Sequence, residues 1–246
     1  MFSLLDFIFP KKCVGCGKFG QYFCKGCLAQ IEFAEKPICP VCQRQSIEGR
    51  THPGCVGKYR LDGLVVACRY SGPVKRAIAK VKYKWVWDIE KIFVELLVKN
   101  LWRYDLPENV ILVPVPLHFK RKNWRGFNQS EILAEAISLK FKVPYSTALF
   151  RNRETKTQVG LKREERQKNV RGAFALRFTR DVKMRSFDFV TSRRDFAQDK
   201  IMTDVRGKNI ILVDDVFTSG ATMAECANVL KRAGAKSVWG MAVALG

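Results

Sequence analysis

The chain has 246 residues, of which 47% are hydrophobic, and this length and apolar content predict one medium domain with a proper core plus a small appendage. The formal net charge is +21, from 44 Lys and Arg against 23 Asp and Glu, which favours a polyanionic partner or, alternatively, a basic surface without a partner. No segment reaches the ~18 to 20 consecutive apolar residues of a membrane span, so a membrane-spanning protein is not expected.

Residues 1–10 are apolar, with Phe2, Leu5 and Phe9 among them. They carry neither a basic segment nor a cleavage site, and therefore do not predict a signal peptide. We expect a short helix that packs on the main domain, with a membrane anchor as the alternative.

Seven of the nine cysteines fall before residue 56, and together with one histidine they form four pairs with two residues between the partners. This is the spacing of zinc knuckles, and eight ligands fill two tetrahedral sites. Disulfides are disfavoured because seven is odd and no secretory signal indicates an oxidising compartment. Short gaps within each half predict two sequential ribbons, while a cross-braced pairing stays open. The expected ligand sets are Cys13, Cys16, Cys24 and Cys27, and Cys39, Cys42, His52 and Cys55.

Residues 1–60 hold few large apolar side chains, so zinc is expected to supply most of the folding energy of this double ribbon. All four positions of each site are filled by protein ligands, which is typical of structural zinc. Cys68 and Cys226 lack partners at this spacing and are predicted to be core residues.

Residues 61–246 alternate between strand and helix patterns, which predicts a parallel α/β sheet with ligands at the carboxyl ends of its strands. One expected helix begins at Pro73, and three others cover 89–102, 129–140 and 223–233. Polar residues without an apolar period predict a long loop over 151–170 and an insert over 177–206. The expected strands are 64–70, 110–116, 145–150, 172–177, 210–213 and 237–245.

A basic, glycine-containing segment over 119–129 follows the strand that ends at Pro116. Such a loop at the carboxyl end of a strand suits pyrophosphate, with a solvated basic loop as the alternative. The residues expected to contact pyrophosphate are Arg121, Lys122 and Arg125.

Residues 210–222 form the most informative run, in which four apolar residues lead into Asp214 and Asp215, a small-residue loop and a helix. Such a loop exposes backbone N–H groups and the positive end of the helix dipole, which suits a phosphate. The two carboxylates can accept hydrogen bonds from sugar hydroxyls or hold Mg²⁺ through water. A core strand capped by two solvated acids is the alternative. The expected ligand contacts are Asp214, Asp215, Thr218, Ser219, Gly220, Ala221 and Thr222.

This run resembles the 5-phosphoribosyl-1-pyrophosphate (PRPP) motif of type I phosphoribosyltransferases, with Phe217 bulkier than the usual aliphatic residue. The resemblance implies that residues 218–222, the phosphate loop, bind the 5′-phosphate, and that the acidic pair contacts the ribose with Mg²⁺ accompanying PRPP. It also implies that residues 151–170 form a flexible hood, whose cations Arg153 and Lys156 stabilise departing pyrophosphate. Thr218 stands where purine-salvage enzymes place an acid, which argues against that activity.

The zinc knuckles, the segments 113–129 and 158–174, and the acidic loop occur in an order that resembles the ComF family. These are competence-associated proteins with a double zinc ribbon and a phosphoribosyltransferase domain. The resemblance implies a cytoplasmic protein that handles single-stranded DNA during natural transformation, with helicase or recombination-mediator partners. The stretch between Arg177 and Asp204 is longer than expected for that family.

Two functions stay open. We favour a single-stranded-DNA handling protein that retains a phosphoribosyl pocket over a pentosyltransferase that uses Asp214, Asp215, Arg153 and Lys156 in catalysis. DNA binding of this kind needs cations with interleaved aromatic rings, a pattern also found at Trp85 and Trp87 between lysines. The expected DNA contacts are Lys120, Arg121, Lys122, Trp124 and Arg125.

Overall fold

The computed structural model describes residues 11–81, 89–155, 162–177 and 205–246. Several predictions lie outside the described residues: the helix over 1–10, the tryptophans at 85 and 87 with their neighbouring lysines, Lys156, and residues 178–204 of the insert. The strands are β1 (Gly63–Arg69), β2 (Val110–Pro114), β3 (Leu149–Arg151), β4 (Phe174–Leu176), β5 (Asn209–Phe217) and β6 (Ser237–Leu245). The α-helices are α1 (Lys25–Ala29), α2 (Gly72–Val81), α3 (Ile89–Leu101), α4 (Phe119–Arg125), α5 (Gln129–Phe141), α6 (Arg163–Val170) and α7 (Ala221–Arg232).

The main sheet has four parallel strands in the order β1, β6, β5, β2. One face of the sheet carries buried residues of α2, α3 and α5. The other face carries α7 and the antiparallel pair of β3 and β4. Because both faces are covered, the strands are apolar along their length rather than alternating. The predicted parallel α/β architecture is confirmed. No helix in the described ranges has both the length and the apolarity to cross a bilayer.

The N-terminal region packs directly on this sheet. Phe23 and Ile31 belong to the same buried cluster as residues of α2 and α3. Between the two ribbons, the Ala34 N–H donates to the Ala67 carbonyl at 2.9 Å and the Arg69 N–H donates to the Glu32 carbonyl at 2.8 Å. Residues 32–34 therefore pair with the outer edge of β1.

Two segments predicted to be loops contain helices. Residues 119–125 form α4, which ends at Gly126, whose φ of 79° suits the glycine C-cap of a helix. Residues 163–170 form α6 inside the predicted hood, where the Lys162 N–H donates to the Glu165 carboxylate at 2.7 Å. This contact at the first turn stabilises a helix that lacks an apolar period.

Five of the six predicted strands have different bounds, and three of them differ most. The strand predicted over 145–150 begins only at Leu149, with an isolated bridge at Tyr145. The strand predicted over 172–177 shortens to β4. The strand predicted to end at Val213 continues to Phe217, because β6 pairs with it as far as Leu245.

Candidate functional site

Two groups of metal-ligating side chains converge in the N-terminal region. In each group the four candidate ligand atoms lie within 4.8 Å of one another. The groups have the Cys₄ and Cys₃His composition of structural zinc sites, and they match the sequential pairing rather than the cross-braced one. Their members are Cys13, Cys16, Cys24 and Cys27 in the first site, and Cys39, Cys42, His52 and Cys55 in the second.

The backbone around the first site favours thiolates. A Cβ atom at Gly15 would lie 2.6 Å from the Cys27 Sγ, so glycine allows this knuckle to close around the metal. The Cys24 N–H points at the Cys13 Sγ at 3.4 Å. Burial raises the pKa of Cys13, but backbone N–H groups, that of Cys24 first, outweigh burial and lower this pKa to about 6. The thiolate is the form that zinc binds.

His52 has the orientation of a zinc ligand. Its Nδ1 lies 3.2 Å from the Cys42 Sγ, while its Nε2 lies 2.9 Å from the Gln45 carbonyl oxygen. Because a carbonyl only accepts hydrogen bonds, Nε2 carries the proton and Nδ1 keeps its lone pair for the metal. Such an outer contact fixes the tautomer and the ring orientation of a ligating histidine.

The carboxyl edge of the main sheet opens where β2 ends. β2 pairs with β5 only as far as Val213, whereas β6 runs beside β5 to Phe217. Asp214 and Asp215 therefore lie within β5, where the strand has a neighbour on one side only, rather than after its end as predicted. This places Asp214 in the crevice between β5 and the start of α5.

A network of hydrogen bonds fixes this crevice. The Ser130 Oγ donates to the Asp214 Oδ1 at 2.9 Å, and the Asp215 N–H donates to the same oxygen at 2.9 Å. Ser130 is held by the helix cap, since its N–H donates to the Asn128 Oδ1 at 3.2 Å, and the Asn128 Nδ2 donates to the Val115 carbonyl at 3.1 Å. The start of α5 is thus tied to both β2 and β5.

The phosphate loop joins β5 to α7, as predicted, with the helix beginning at Ala221. Gly220 has a φ of 75°, and a Cβ atom there would lie 2.6 Å from the Phe217 Cζ. The Phe217 ring is buried beneath this glycine. The Ala221 N–H donates to the Ser219 Oγ at 3.4 Å, and α7 begins at this residue, so the positive end of the helix dipole lies at the loop.

The basic residues of α4 already have partners. Lys120 pairs with Glu154 and Lys122 pairs with Glu131, both at 2.9 Å. Arg121 donates to the Thr155 carbonyl at 3.0 Å, and Arg125 donates to the Gln129 Oε1 at 3.2 Å. The lysine pairs are partly exposed, and such pairs contribute only ~0 to 1 kcal/mol, so a phosphate can replace the carboxylates. The Trp124 side chain is 71% exposed.

The predicted hood residue Arg153 is engaged within the protein. Its guanidinium donates to the Asn169 carbonyl at 3.0 Å and to the Arg171 carbonyl at 2.9 Å. Arg153 therefore ties the residues after β3 to the end of α6.

Polar side chains with buried atoms group near the ends of β2, β3 and α4, and sequence reasoning missed all of them except Arg125, which was expected to contact pyrophosphate. Four of their atoms have no hydrogen-bond partner among the described residues. Buried polar atoms are nearly always paired in native proteins, so this group indicates a place for a polar ligand. The atoms are the His118 Nδ1, the Arg125 Nε, the Gln129 Nε2 and the Arg151 Nε.

Arg151 is the most unusual member of this group, because its side chain is charged and the residue is only 9% exposed. Its guanidinium lies 5.2 Å from the Phe174 ring centroid and donates to the Thr155 Oγ1. Burial lowers the pKa of Arg151 and the nearby Arg121 adds to this effect, whereas Cys226 and Asp214 oppose it. A buried cation within the electrostatic reach of Asp214 is suited to an anionic ligand. The signal in the sequence was an arginine directly after the apolar residues 148–150.

The comparisons with known proteins agree with this architecture. Residues 4–56 match the double zinc ribbon domain, and residues 128–245 match the phosphoribosyl transferase domain. The chain is 27% identical to Competence protein F of Haemophilus influenzae, over 91% of this chain and 98% of that protein. The chain is similar to the ComF family in both domains. It is also 28% identical to DNA utilization protein YhgH of Escherichia coli (strain K12), over 83% of this chain and 82% of that protein. Its identity to Competence protein ComFC of Bacillus subtilis is 26%, over 86% of this chain and 78% of that protein.

Proposed function

We propose that the chain is a cytoplasmic single-stranded-DNA handling protein of DNA uptake that retains a Mg²⁺-dependent PRPP pocket. The observation that carries the pocket is buried Arg151, with its unpaired Nε, within the electrostatic reach of Asp214. The names of the relatives, competence proteins and a DNA utilization protein, motivate the role in DNA uptake. Helicase or recombination-mediator proteins are the partners proposed for this role.

In this proposal each part of PRPP meets a different element of the site. The 5′-phosphate lies on the backbone N–H groups of the phosphate loop and α7, while Asp214 and Asp215 accept hydrogen bonds from the ribose hydroxyls. Arg151 and Arg121 supply positive charge for the pyrophosphate, with Lys122 and Arg125 beyond them. Mg²⁺ neutralises part of the pyrophosphate charge and keeps several water ligands that the carboxylates can hold.

A pentosyltransferase is the second candidate function. It is favoured because α4 and the start of the hood carry Arg121 and Arg153, and because Arg121 joins the two segments through the Thr155 carbonyl. In such a reaction a nucleophile forms a bond to the ribose C1 as the bond from C1 to pyrophosphate breaks. These cations would stabilise the negative charge that leaves with pyrophosphate.

The pocket is tested by calorimetric titration of PRPP with and without Mg²⁺. We expect binding that needs Mg²⁺ and is lost when Asp214→Asn is combined with Asp215→Asn. The matched control combines Glu95→Gln with Glu135→Gln, which removes two exposed carboxylates from α3 and α5. Release of pyrophosphate on adding candidate acceptors separates the two functions. If the wild type binds no PRPP at millimolar concentration, the proposed pocket is wrong.

Two basic surfaces are candidates for the DNA contact. The first is α4 with exposed Trp124. The second is a groove of about 930 Å³ between α6, α7 and residues 57–60, where the Arg232 guanidinium lies 4.6 Å from the Tyr59 ring centroid. The cations Lys58, Lys168 and Arg171 lie along this groove, and within the described part of the chain none of them forms an ion pair.

The dependence of DNA affinity on salt distinguishes these surfaces. Each phosphate neutralised on a single strand contributes about 0.7 to the slope of log K against log salt, so loss of three contacts flattens the slope by roughly two. We compare two triple alanine variants in binding an unstructured oligonucleotide. If the salt slope flattens in the variant of the α4 residues, DNA binds at α4; if it flattens in the variant of the groove residues, DNA binds in the groove. No binding by the wild type at low salt contradicts the role in DNA handling. The two sets are Lys120, Arg121 and Lys122, and Lys58, Lys168 and Arg171.

A further inference from the structure

The two zinc ribbons differ in the residue that follows the second cysteine of a knuckle, a position that does not ligate the metal. Gly17 and Gln43 each follow the second cysteine of a knuckle, with φ values of 82° and 59°. Both residues close the turn in the same way, since the Gly17 N–H donates to the Cys13 carbonyl at 2.8 Å and the Gln43 N–H donates to the Cys39 carbonyl at 2.9 Å. The left-handed conformation favours glycine and is uncommon for residues with a Cβ atom. The second ribbon thus has a glutamine side chain at a position that is occupied by glycine in the first ribbon.

The Gln43 side chain reaches the phosphate loop. Its Nε2 donates to the Thr218 carbonyl at 2.8 Å, in a partly buried contact. On the other side of Cys42, the Val41 carbonyl accepts a hydrogen bond from Arg163, the first residue of α6. The knuckle over 39–43 therefore touches both the phosphate loop and the hood, whereas Gly15 of the first ribbon lies near Pro73 of α2.

This contact fixes more than one carbonyl. A peptide unit is planar and trans, so its C=O and N–H groups point in opposite directions. A Thr218 carbonyl directed at Gln43 leaves the Ser219 N–H directed away from Gln43. The orientation of an N–H group in the phosphate loop is thereby set by a residue of the second ribbon.

We propose that the second zinc ribbon is a positioning element of the phosphate site, with Gln43 as the residue that transmits its effect. The proposal rests on the proposed function, because the affected ligand is the 5′-phosphate that the loop would bind. Zinc held by Cys39, Cys42, His52 and Cys55 keeps the knuckle closed, and the closed knuckle holds Thr218. Coupling between the free energies of binding at two sites is reciprocal, so a bound sugar phosphate should raise the zinc affinity of the second ribbon and leave that of the first unaffected, which reduces zinc release to a competing chelator at equilibrium.

The first test measures affinity for ribose 5-phosphate and for PRPP with Mg²⁺ by calorimetry. Gln43→Gly imitates the first ribbon and should keep the zinc content and melting temperature of the wild type. Loss of one neutral hydrogen bond predicts an affinity about fivefold lower. Gln43→Glu has the same shape but cannot donate when ionised, and should weaken binding at least as much. The matched control is Gly17→Gln, which has open space for its side chain but strains the knuckle at a φ of 82°, and which should leave ligand affinity unchanged because the first ribbon lies near α2 rather than at the phosphate loop.

The second test follows zinc release to a coloured chelator with and without ribose 5-phosphate. The wild type should show protection of one zinc ion of two, and this protection should disappear in Gln43→Gly. If the wild type binds ribose 5-phosphate but Gln43→Gly and Gln43→Glu bind it equally well, the inference is wrong and the proposed pocket stands. If the wild type binds neither ligand, the proposed pocket fails and the inference fails with it.

Discussion

Replacement of the buried Arg151 by methionine is the sharpest test of the site. Arg151→Met keeps the length and most of the volume of the side chain while removing its charge and all its donors. A hydrogen bond from a charged group contributes about 1.5 to 3 kcal/mol, which corresponds to roughly a 10- to 150-fold loss of affinity for an anion that Arg151 contacts. We therefore expect PRPP and pyrophosphate to bind at least tenfold more weakly, as measured by calorimetry in the presence of Mg²⁺.

Folding stability should change much less than ligand affinity. The variant loses the hydrogen bond to Thr155 and the contact with the Phe174 ring, which contributes about 0.5 to 2 kcal/mol. It also removes the cost of burying a cation, which is several kcal/mol for an incompletely paired charge. We expect the free energy of unfolding to change by less than about 2 kcal/mol in urea titrations. The control is Arg177→Met, which removes an exposed arginine directly after β4 and should leave pyrophosphate binding within about threefold, since a surface charge contributes little. An unchanged ligand affinity together with a large loss of stability would show that Arg151 is a core residue only.

Three further predictions concern the metal, the phosphate loop and the buried thiols. Elemental analysis should find about two zinc ions per chain. Because each site uses four protein ligands, Cys24→Ser should lose one zinc ion and unfold only the first ribbon. Absence of zinc in the wild type would refute the ribbons. Gly220→Val should lower PRPP affinity by at least tenfold, since even a Cβ atom would lie 2.6 Å from the Phe217 ring, and affinity equal to wild type would exclude this loop. Burial raises the pKa of Cys68 to about 12 and that of Cys226 well above its usual value, so both thiols stay protonated at pH 8. Iodoacetamide should label neither of them in the folded, zinc-loaded protein as followed by mass spectrometry, and rapid labelling of either would contradict its buried position.

Local spacing was sufficient to predict the four knuckles, because each is a short turn whose geometry depends on its own residues, but it left their pairing into sites open. The sheet was predictable for a related reason, since buried parallel strands are apolar throughout. The two short helices were missed because neither α4 nor α6 has an apolar period. They depend on other contacts, such as the ion pair of Lys120 with Glu154 and the capping contact of Glu165.

The site residues that were missed depend on contacts distant in the sequence. Arg151 is buried only because β3 pairs with β4, which brings Phe174 against its guanidinium. The acidic pair was placed after the strand because Asp usually ends an apolar run. The pairing of β5 with β6 carries the strand past both carboxylates, and this register cannot be read from residues 210–217 alone.

The pairing of residues 32–34 with β1 has a consequence for how the chain can be divided. A fragment beginning near Leu61 would keep every strand of the main sheet but would expose the unpaired backbone of β1. An open, apolar strand edge is a template for association with other chains. We expect such a fragment to aggregate even though the phosphoribosyl transferase match lies wholly within it. We therefore expect the zinc-binding region and the sheet to fold together, and deletion of the ribbons to report on solubility rather than on what zinc contributes to ligand binding.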